Sequence, residues 1–348
     1  MAGTAEGTAA GTTAGTAAEA TPKARIRDGL EVFRERANPV SWKIPSFCTN
    51  DWAALRIARI CEDAGVGRPF DISYGSPQCL WEGGRPAAVR RQLTRDELER
   101  YFEAYAERGV TVALTLSRLT VDRGDLADPY GNLLLDLAES FRAEAIVVDD
   151  DLARHIRRTH PGIRLVASFN KPLCDLGPTT TPEAETAYYL RLLDLYDEVV
   201  VRCEYALDDG RIGLLPRDLR DRIEVIVNQI CVPGCTRGPE HMRALQDWNE
   251  GRVPGQIQGC FHNGVSHTTA RLSQNVLLSN RRVEELAGMG VCKMKIGGRN
   301  APVERFIDYL ATYIFEPTGA ILAIKDVLAR EFGTRRRSDP TFAQYSLP

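Results

Sequence analysis

The chain contains no apolar run that approaches the roughly 20 residues needed to span a membrane. Its first 22 residues are rich in Ala, Gly and Thr, and they lack the basic and apolar regions of a secretory signal peptide. The net charge is −3 and no long basic stretch is present, which argues against a surface for nucleic acid or lipid. We therefore expect a cytoplasmic protein with a disordered leader over residues 1–22, whose partners are neither membrane nor nucleic acid.

Several familiar catalytic signatures are also missing. No Gly-rich phosphate loop follows the first predicted strand, which ends at Phe47. The chain has neither a His-Glu-x-x-His motif nor a serine-triad motif, so a hydrolase has little sequence support. Nine cysteines are present, an odd number in a chain of 348 residues. This count argues against a disulfide scaffold and favours thiols or a metal site.

Short apolar runs alternate with amphipathic segments along most of the chain. The runs predict eight strands, at Trp42–Phe47, Pro69–Tyr74, Val110–Leu116, Ala145–Asp149, Arg164–Phe169, Glu198–Cys203, Ile223–Asn228 and Val291–Ile296. The intervening segments predict helices, among them Ala53–Ala64, Thr94–Arg108, Gly131–Phe141, Asp151–Thr159, Pro182–Leu195 and Arg281–Met289. This alternation predicts an α/β fold of the (β/α)8 TIM-barrel type. The alternative is an open doubly wound sheet, which a phosphate loop would favour.

The predicted barrel occupies residues 23–332 as one domain, followed by a tail over residues 333–348. Residues 235–280, between the seventh and eighth strands, form a segment too long for a plain crossover. This segment carries Gly, Pro, His and Asn residues. We therefore expect an insertion that lies over the mouth of the barrel.

Two cysteines, Cys231 and Cys235, follow the seventh predicted strand. Thiols this close together can ligate a soft metal or an iron–sulfur cluster, form a redox disulfide, or pack as small apolar residues. In a barrel, residues at the carboxyl ends of the strands converge on one face. Seven of the nine cysteines fall on that face, namely Cys48, Cys79, Cys174, Cys203, Cys231, Cys235 and Cys260. Core packing has no preference for one end of a barrel, so this bias favours a metal or cluster site.

The best third ligand beside this pair is Cys260, and the fourth is Cys48, Cys203 or Cys174. A tetrahedral zinc site is the alternative, using the same thiols with a nitrogen ligand from His262 or His267.

Charged residues form a second candidate site at the end of the eighth strand. Lys295 and Arg299 lie in a Lys-Met-Lys-Ile-Gly-Gly-Arg segment, where barrels commonly bind anions. We expect the backbone amides of the two glycines and the Arg299 fork to hold a carboxylate or phosphate. Polar groups that would orient such a substrate follow the fifth and sixth strands, at Asn170, Arg202 and Glu204. The run of three aspartates at 149–151 is explained more simply as a helix cap.

These ordered motifs resemble the collagenase-like peptidase family U-thirty-two (U32). The strand pattern of Gly109–Leu116, Ala143–Asp149 and Ile163–Asn170 is similar to that of the family. Glu224–Arg237 resembles its Cys-x3-Cys segment, and Ala287–Arg299 resembles its Lys-Ile-Glu-Gly-Arg signature. This chain has Gly297 at the position of the signature's Glu, and no Cys-x6-Cys pair precedes its Cys-x3-Cys pair.

The resemblance implies a 4Fe–4S cluster on Cys231 and Cys235, because relatives use such clusters for oxygen-independent hydroxylation while others are described as peptidases. Our leading hypothesis is an iron–sulfur enzyme that acts on a small or medium anionic molecule. Its cluster ligands would be Cys231, Cys235, Cys260 and Cys48, and Lys295 and Arg299 would bind the substrate. The alternatives are a hydrolase or peptidase, with or without zinc, and a non-catalytic subunit that works with a protein partner.

Overall fold

A computed structural model describes residues 21–28, 40–83, 91–177, 179–229, 235–252, 277–299, 301–315 and 322–330. Within these residues eight parallel strands pair in sequential order and close into a barrel. They are β1 Ser41–Ile44, β2 Ile72–Gly75, β3 Thr111–Leu116, β4 Glu144–Val147, β5 Arg164–Ala167, β6 Glu198–Val200, β7 Ile223–Ile226 and β8 Lys293–Lys295. The predicted (β/α)8 barrel is confirmed, although most strands are shorter than their apolar runs.

Helices alternate with the strands around the barrel. They are α1 at residues 22–28, α2 Asp51–Asp63, α3 Arg95–Ala106, α4 Pro129–Ser140, α5 Asp150–Thr159, α6 Asn170–Asp175, α7 Pro182–Leu192, α8 Cys203–Leu207, α9 Asp209–Leu214, α10 Gly238–Asn249, α11 Asn280–Gly288, α12 Val303–Tyr313 and α13 at residues 322–330. Short 3-10 turns occur at Asp125–Ala127 and Arg217–Arg222. Helix α10 falls inside the segment between β7 and β8 that we expected to be an insertion.

Side chains at the helix starts show why these helices begin where they do. Thr94 forms a complete capping box with Glu97, and Thr181 and Ser279 cap α7 and α11. The Asp149 carboxylate accepts a hydrogen bond from the Leu152 amide at 2.9 Å, so the predicted capping role of this aspartate is confirmed. These caps satisfy amide groups that would otherwise lack partners at a helix start.

The barrel separates two environments. Side chains of each strand alternate between the helices and the barrel interior. Those on the helix side, such as Ile44, Leu114 and Val225, belong to the main hydrophobic core. A smaller apolar cluster fills part of the interior and includes Tyr74 and Ile146.

The strand registers arrange the interior side chains in three layers of four, as expected for this architecture. The lower layer consists of Ile72, Glu144, Glu198 and Lys293; the middle layer of Lys43, Ala113, Val166 and Glu224; and the upper layer of Tyr74, Ile146, Val200 and Lys295. The upper layer is the one nearest the carboxyl ends of the strands, where barrel enzymes place their active sites. Among the described residues, no helix is both long and apolar enough to cross a bilayer.

Candidate active site

Charged side chains from five strands meet inside the barrel. Lys43 lies at their centre, with its Nζ atom 2.8 Å from Glu144 Oε2 and 2.5 Å from Glu224 Oε2. Glu198 Oε2 lies 4.0 Å from the same nitrogen. All four side chains are at least 96% buried. Because buried charges are stable only when they are paired, this network holds the middle and lower layers in one arrangement.

Lys295 lies one layer closer to the mouth. Its Nζ atom is 3.2 Å from Glu224 Oε1 and 4.4 Å from the centre of the Tyr74 ring, a cation–π distance. The Tyr74 hydroxyl donates a hydrogen bond of 2.9 Å to the carbonyl oxygen of Ile296, which fixes the ring against the end of β8. The three other members of this layer are uncharged, so Glu224 from the layer below is the carboxylate that contacts Lys295.

The two lysines experience opposite electrostatic environments. Burial by itself would lower the pKa of Lys43, but Glu144, Glu224 and Glu198 together raise that pKa above its ordinary value. Burial lowers the pKa of Lys295, and the charge of Lys43 adds to the effect while Glu224 opposes it. Glu224 is flanked by both lysines, which outweigh its burial and lower its pKa to about 2. Lys43 is therefore held as an ammonium, whereas Lys295 releases its proton more readily than an exposed lysine does.

The lower layer is closed by a second group of charges. Glu198 forms ion pairs with Lys293 and with Arg164, whose side chain reaches solvent at the opposite end of the barrel. Burial raises the pKa of Glu198, and the nearby carboxylates add to this while the lysines oppose it. This layer seals the base of the interior, and Lys295 is the lysine of the interior layers that lies nearest the mouth.

Arg299 is buried at the mouth but is already engaged. Its guanidinium donates hydrogen bonds to Thr115 Oγ1 and, at 3.2 Å, to the carbonyl oxygen of Gly83, and it lies 3.7 Å from Glu82. The preceding Gly298 has a φ of +120°, and a Cβ atom there would meet Tyr309 at 2.7 Å, so the turn that directs Arg299 inward requires glycine. Arg299 thus connects the loop after β2 to the end of β3.

The backbone amide of Gly297, which we expected to bind an anion, has a partner within the protein. It donates a hydrogen bond of 2.6 Å to Asn228 Oδ1, and the Asn228 amide donates back to the Gly297 carbonyl at 2.9 Å. The side chain of Asn228 therefore occupies a donor that we expected to be available for an anion. The reciprocal bonds join the ends of β7 and β8.

The other predicted polar residues lie at the ends of β5 and β6. Arg202 pairs with Glu185 of α7, with Nε 2.9 Å from Oε1, and Glu185 is fully buried. Glu204 accepts a hydrogen bond from the Cys203 thiol at 3.1 Å, and the backbone N–H of Asn170 donates to Ser168 Oγ at 3.3 Å. The structure thus gives Arg202 a partner on the helix side, and the roles of the three residues in orienting a substrate stay predictions.

Two of the four predicted cluster ligands, Cys231 and Cys260, lie outside the described residues. Cys235 is half-buried just before α10, and Cys48 is fully buried in the turn after β1. Burial, followed by the nearby carboxylates of Asp51 and Glu82, raises the pKa of the Cys48 thiol well above its usual range. In the described part of the chain, no three His, Cys, Asp or Glu residues are grouped as metal ligands.

The remaining cysteine candidates occupy different settings. Cys174 on α6 is half-buried, and burial, with a contribution from Asp175, raises its pKa to about 11 although Arg243 and Lys171 act against this. Cys203 is buried and donates to Glu204. Cys61, on α2, is fully buried in the main hydrophobic core.

A cleft of about 700 Å³ opens at the rim of the mouth, between α10 and the loops that follow β3, β4 and β5. Acidic side chains from the start of α5 and the end of α6 line one side, and Arg243 and Arg252 approach from the α10 side. The Lys171 ammonium spans the acidic side, 3.0 Å from Asp150 Oδ1 and 3.7 Å from Asp175 Oδ2. The cleft also contains Cys174, beside the contact between α6 and α10.

Sequence reasoning missed the central network of Lys43, Glu144, Glu198 and Glu224. A signal was present, because each of these residues is a lone charged side chain within an apolar strand. When four such strands belong to one closed barrel, their charged side chains are buried in its interior and must be paired there. The sequence also has only six lysines among 44 basic residues, and three of the six, Lys43, Lys293 and Lys295, lie in the interior layers.

Comparison with known proteins gives distant structural neighbours. The chain is similar to the U32 peptidase Mk0906, with 16% identity and a TM-score of 0.42, over 76% of this chain and 94% of the other. It is also similar to the carboxyl transferase domain of pyruvate carboxylase from Rhizobium etli, with 10% identity and a TM-score of 0.43, over 92% of this chain and 52% of the other. No family model matches the chain, and no curated protein matches it in sequence. A U32 peptidase is thus among its structural neighbours, and its chemistry must be argued from its own residues.

Proposed function

We propose that the chain is an enzyme that binds a small or medium-sized anionic substrate at the mouth of the barrel. The observation that carries this proposal is the position of Lys295. Its ammonium lies in the upper layer beside three uncharged residues, and the carboxylate that contacts it among the described residues belongs to the layer beneath. A substrate anion that enters from the mouth would supply a second negative charge in a site of low dielectric, where such a pair is strong.

Arg299 supports the same site in a different way. Its bonds to Thr115 and Gly83 fix the guanidinium at the mouth, so the site is held open by existing contacts before substrate arrives. We assign Arg299 a positioning role and Lys295 direct contact with the anion. Asn170, Arg202 and Glu204 remain our candidates for orienting the rest of the substrate.

Calorimetric titration with oxalate, a small dicarboxylate, tests the proposal. Wild-type protein should bind oxalate, and Lys295→Met should lose most of that binding. Lys293→Met is the matched control, because Lys293 points into the same barrel from the same strand but lies in the lower layer. An anion site at Lys295 would be rejected if wild type and Lys295→Met bound oxalate equally and if the uncharged malonamide bound as tightly as oxalate.

The reaction that we propose for this site involves an iron–sulfur cluster held by Cys231, Cys235 and Cys260. Cys48 fits poorly as the fourth ligand, because it is fully buried in the hydrophobic core beside Asp51 and Glu82. Cys174 is better placed. It lies on α6 at the contact with α10, where Leu173 packs against Gly238, three residues after Cys235. Burial raises the pKa of Cys174 to about 11, although Arg243 and Lys171 oppose this.

A bound cluster would supply one-electron transfer. Anaerobic purification followed by iron and sulfide analysis tests this part of the proposal. The wild-type protein should be brown and contain both elements; Cys174→Ser should lose them and Cys48→Ser should keep them. A colourless protein free of iron would reject the cluster, and zinc in its place would favour the hydrolase alternative.

A further inference from the structure

The surroundings of Lys295 are those of a nucleophilic amine. Such a role goes beyond the binding of an anion. Lysine is a nucleophile only when it is unprotonated, and proteins favour that state by burying the amine or by placing another cation beside it. Both conditions hold at Lys295. Its side chain is only 7% exposed, and its register partner on β1 is Lys43, so that the two amines share the carboxylate of Glu224.

The other charged groups near Lys295 do not cancel the lowering of its pKa. Glu224 is the carboxylate in contact, at 3.2 Å, but it also contacts Lys43 at 2.5 Å and divides its negative charge between two cations. Glu144 lies farther away and contacts Lys43 at 2.8 Å. The net effect of burial and of these neighbours is a lowered pKa for Lys295.

The amine is also reachable from the mouth. Ile226, the β7 residue in register with Lys295, is only half-buried although it lies on the interior side, and so is Phe169 at the end of β5. Solvent therefore reaches the interior wall beside Lys295. Lys43 does not share this access, because its side chain is 97% buried among three carboxylates. Lys293 is 25% exposed, but it lies in the lower layer, at the opposite end of the barrel.

We infer that Lys295 is a nucleophile that forms an imine with the carbonyl carbon of an oxo acid. This inference rests on the proposed function and names its substrate class. The nitrogen lone pair forms a bond to the carbonyl carbon, and the carbonyl π electrons move to oxygen. The oxygen leaves as water with the two amine protons, and uptake of one solvent proton gives an iminium ion. Glu224 faces the resulting positive charge, and the substrate carboxylate, bonded to the iminium carbon, stays at the mouth close to the Lys295 nitrogen.

Reductive trapping tests the inference directly. The protein is incubated with pyruvate and sodium cyanoborohydride, and the adduct is located by mass spectrometry of its peptides. The chain has only six lysines, at positions 23, 43, 171, 293, 295 and 325, so every alternative site can be examined. We expect one adduct, located at Lys295. It should be lost in Lys295→Arg, retained in Lys293→Arg, and weaker with acetone, which lacks the carboxylate.

The outcomes separate this inference from the proposed function. If the wild type binds oxalate but yields no adduct, or yields adducts spread over exposed lysines such as Lys23, the imine is rejected and the anion site stands. If neither oxalate binding nor trapping occurs, both fail. Thermal unfolding of each variant shows whether the fold is intact, and an adduct that persists in folded Lys295→Arg would overturn the assignment.

Discussion

The barrel interior contains two neighbouring buried lysines, one deeper and one nearer the mouth, whose pKa values are shifted in opposite directions. Lys43 is surrounded by three glutamates that raise its pKa, whereas Lys295 shares one of those glutamates and has a lowered pKa. The two residues are neighbours on adjacent strands. Environments that separate the pKa values of similar groups commonly mark the residues that perform proton transfer or nucleophilic chemistry. On our proposal, the contrast distinguishes a structural lysine, Lys43, from a reactive one, Lys295.

Lys43→Met should give the largest effect on stability. It leaves Glu144 and Glu224 buried without their central cation, and removal of one partner from a buried pair costs about 3–5 kcal/mol. The free energy of unfolding in urea should fall by that amount. Lys325→Met is the control, because its pair with Asp308 is largely exposed and should contribute about 0–1 kcal/mol. Similar losses for the two variants would contradict a structural role for Lys43.

Glu224→Gln should remove an acid-dependent part of the stability. The folded-state pKa of Glu224 is about 2, below its ordinary 4.5. Its contribution is therefore complete above pH 4.5 and is lost as the pH falls toward 2, with a size of roughly 3 kcal/mol. Unfolding measured between these pH values should show a shallower dependence in Glu224→Gln than in wild type. Parallel curves for the two proteins would show that Glu224 is not the group responsible.

Lys295→Met should change stability by only about 1 kcal/mol or less, in contrast to Lys43→Met. The new side chain is apolar and of similar length, its layer is otherwise uncharged, and Glu224 keeps Lys43 as a partner. Urea unfolding compared with that of Lys43→Met measures the difference. A loss as large as that of Lys43→Met would mean that both lysines hold the barrel together.

The fold could be predicted from the sequence more fully than the difference between Lys43 and Lys295, for a physical reason. Each strand is a local apolar run, and the alternation of eight runs with helices has few closed solutions. The ion network depends on residues distant in sequence: Lys43 and Glu144 are 101 positions apart. Lys295 and Arg299 could be predicted as candidates because a local motif contains them. The competition of Lys43 and Lys295 for Glu224 depends on strand register, which the strand pattern alone does not determine.

Substitution of Tyr74 should give the smallest of these effects, a selective change in the pKa of Lys295. Its ring lies 4.4 Å from Lys295 Nζ and favours the ammonium, by about 0.5–1 kcal/mol for an ordinary cation–π contact. Tyr74→Leu should therefore lower the pKa of Lys295 further, by roughly half a unit. Tyr74→Phe keeps the ring and serves as the control, since both variants lose the hydrogen bond to Ile296. The pH dependence of Lys295 acetylation measures the pKa in each protein. Identical midpoints in Tyr74→Leu and Tyr74→Phe would show that the ring does not influence this lysine, and that burial and Lys43 account for its state.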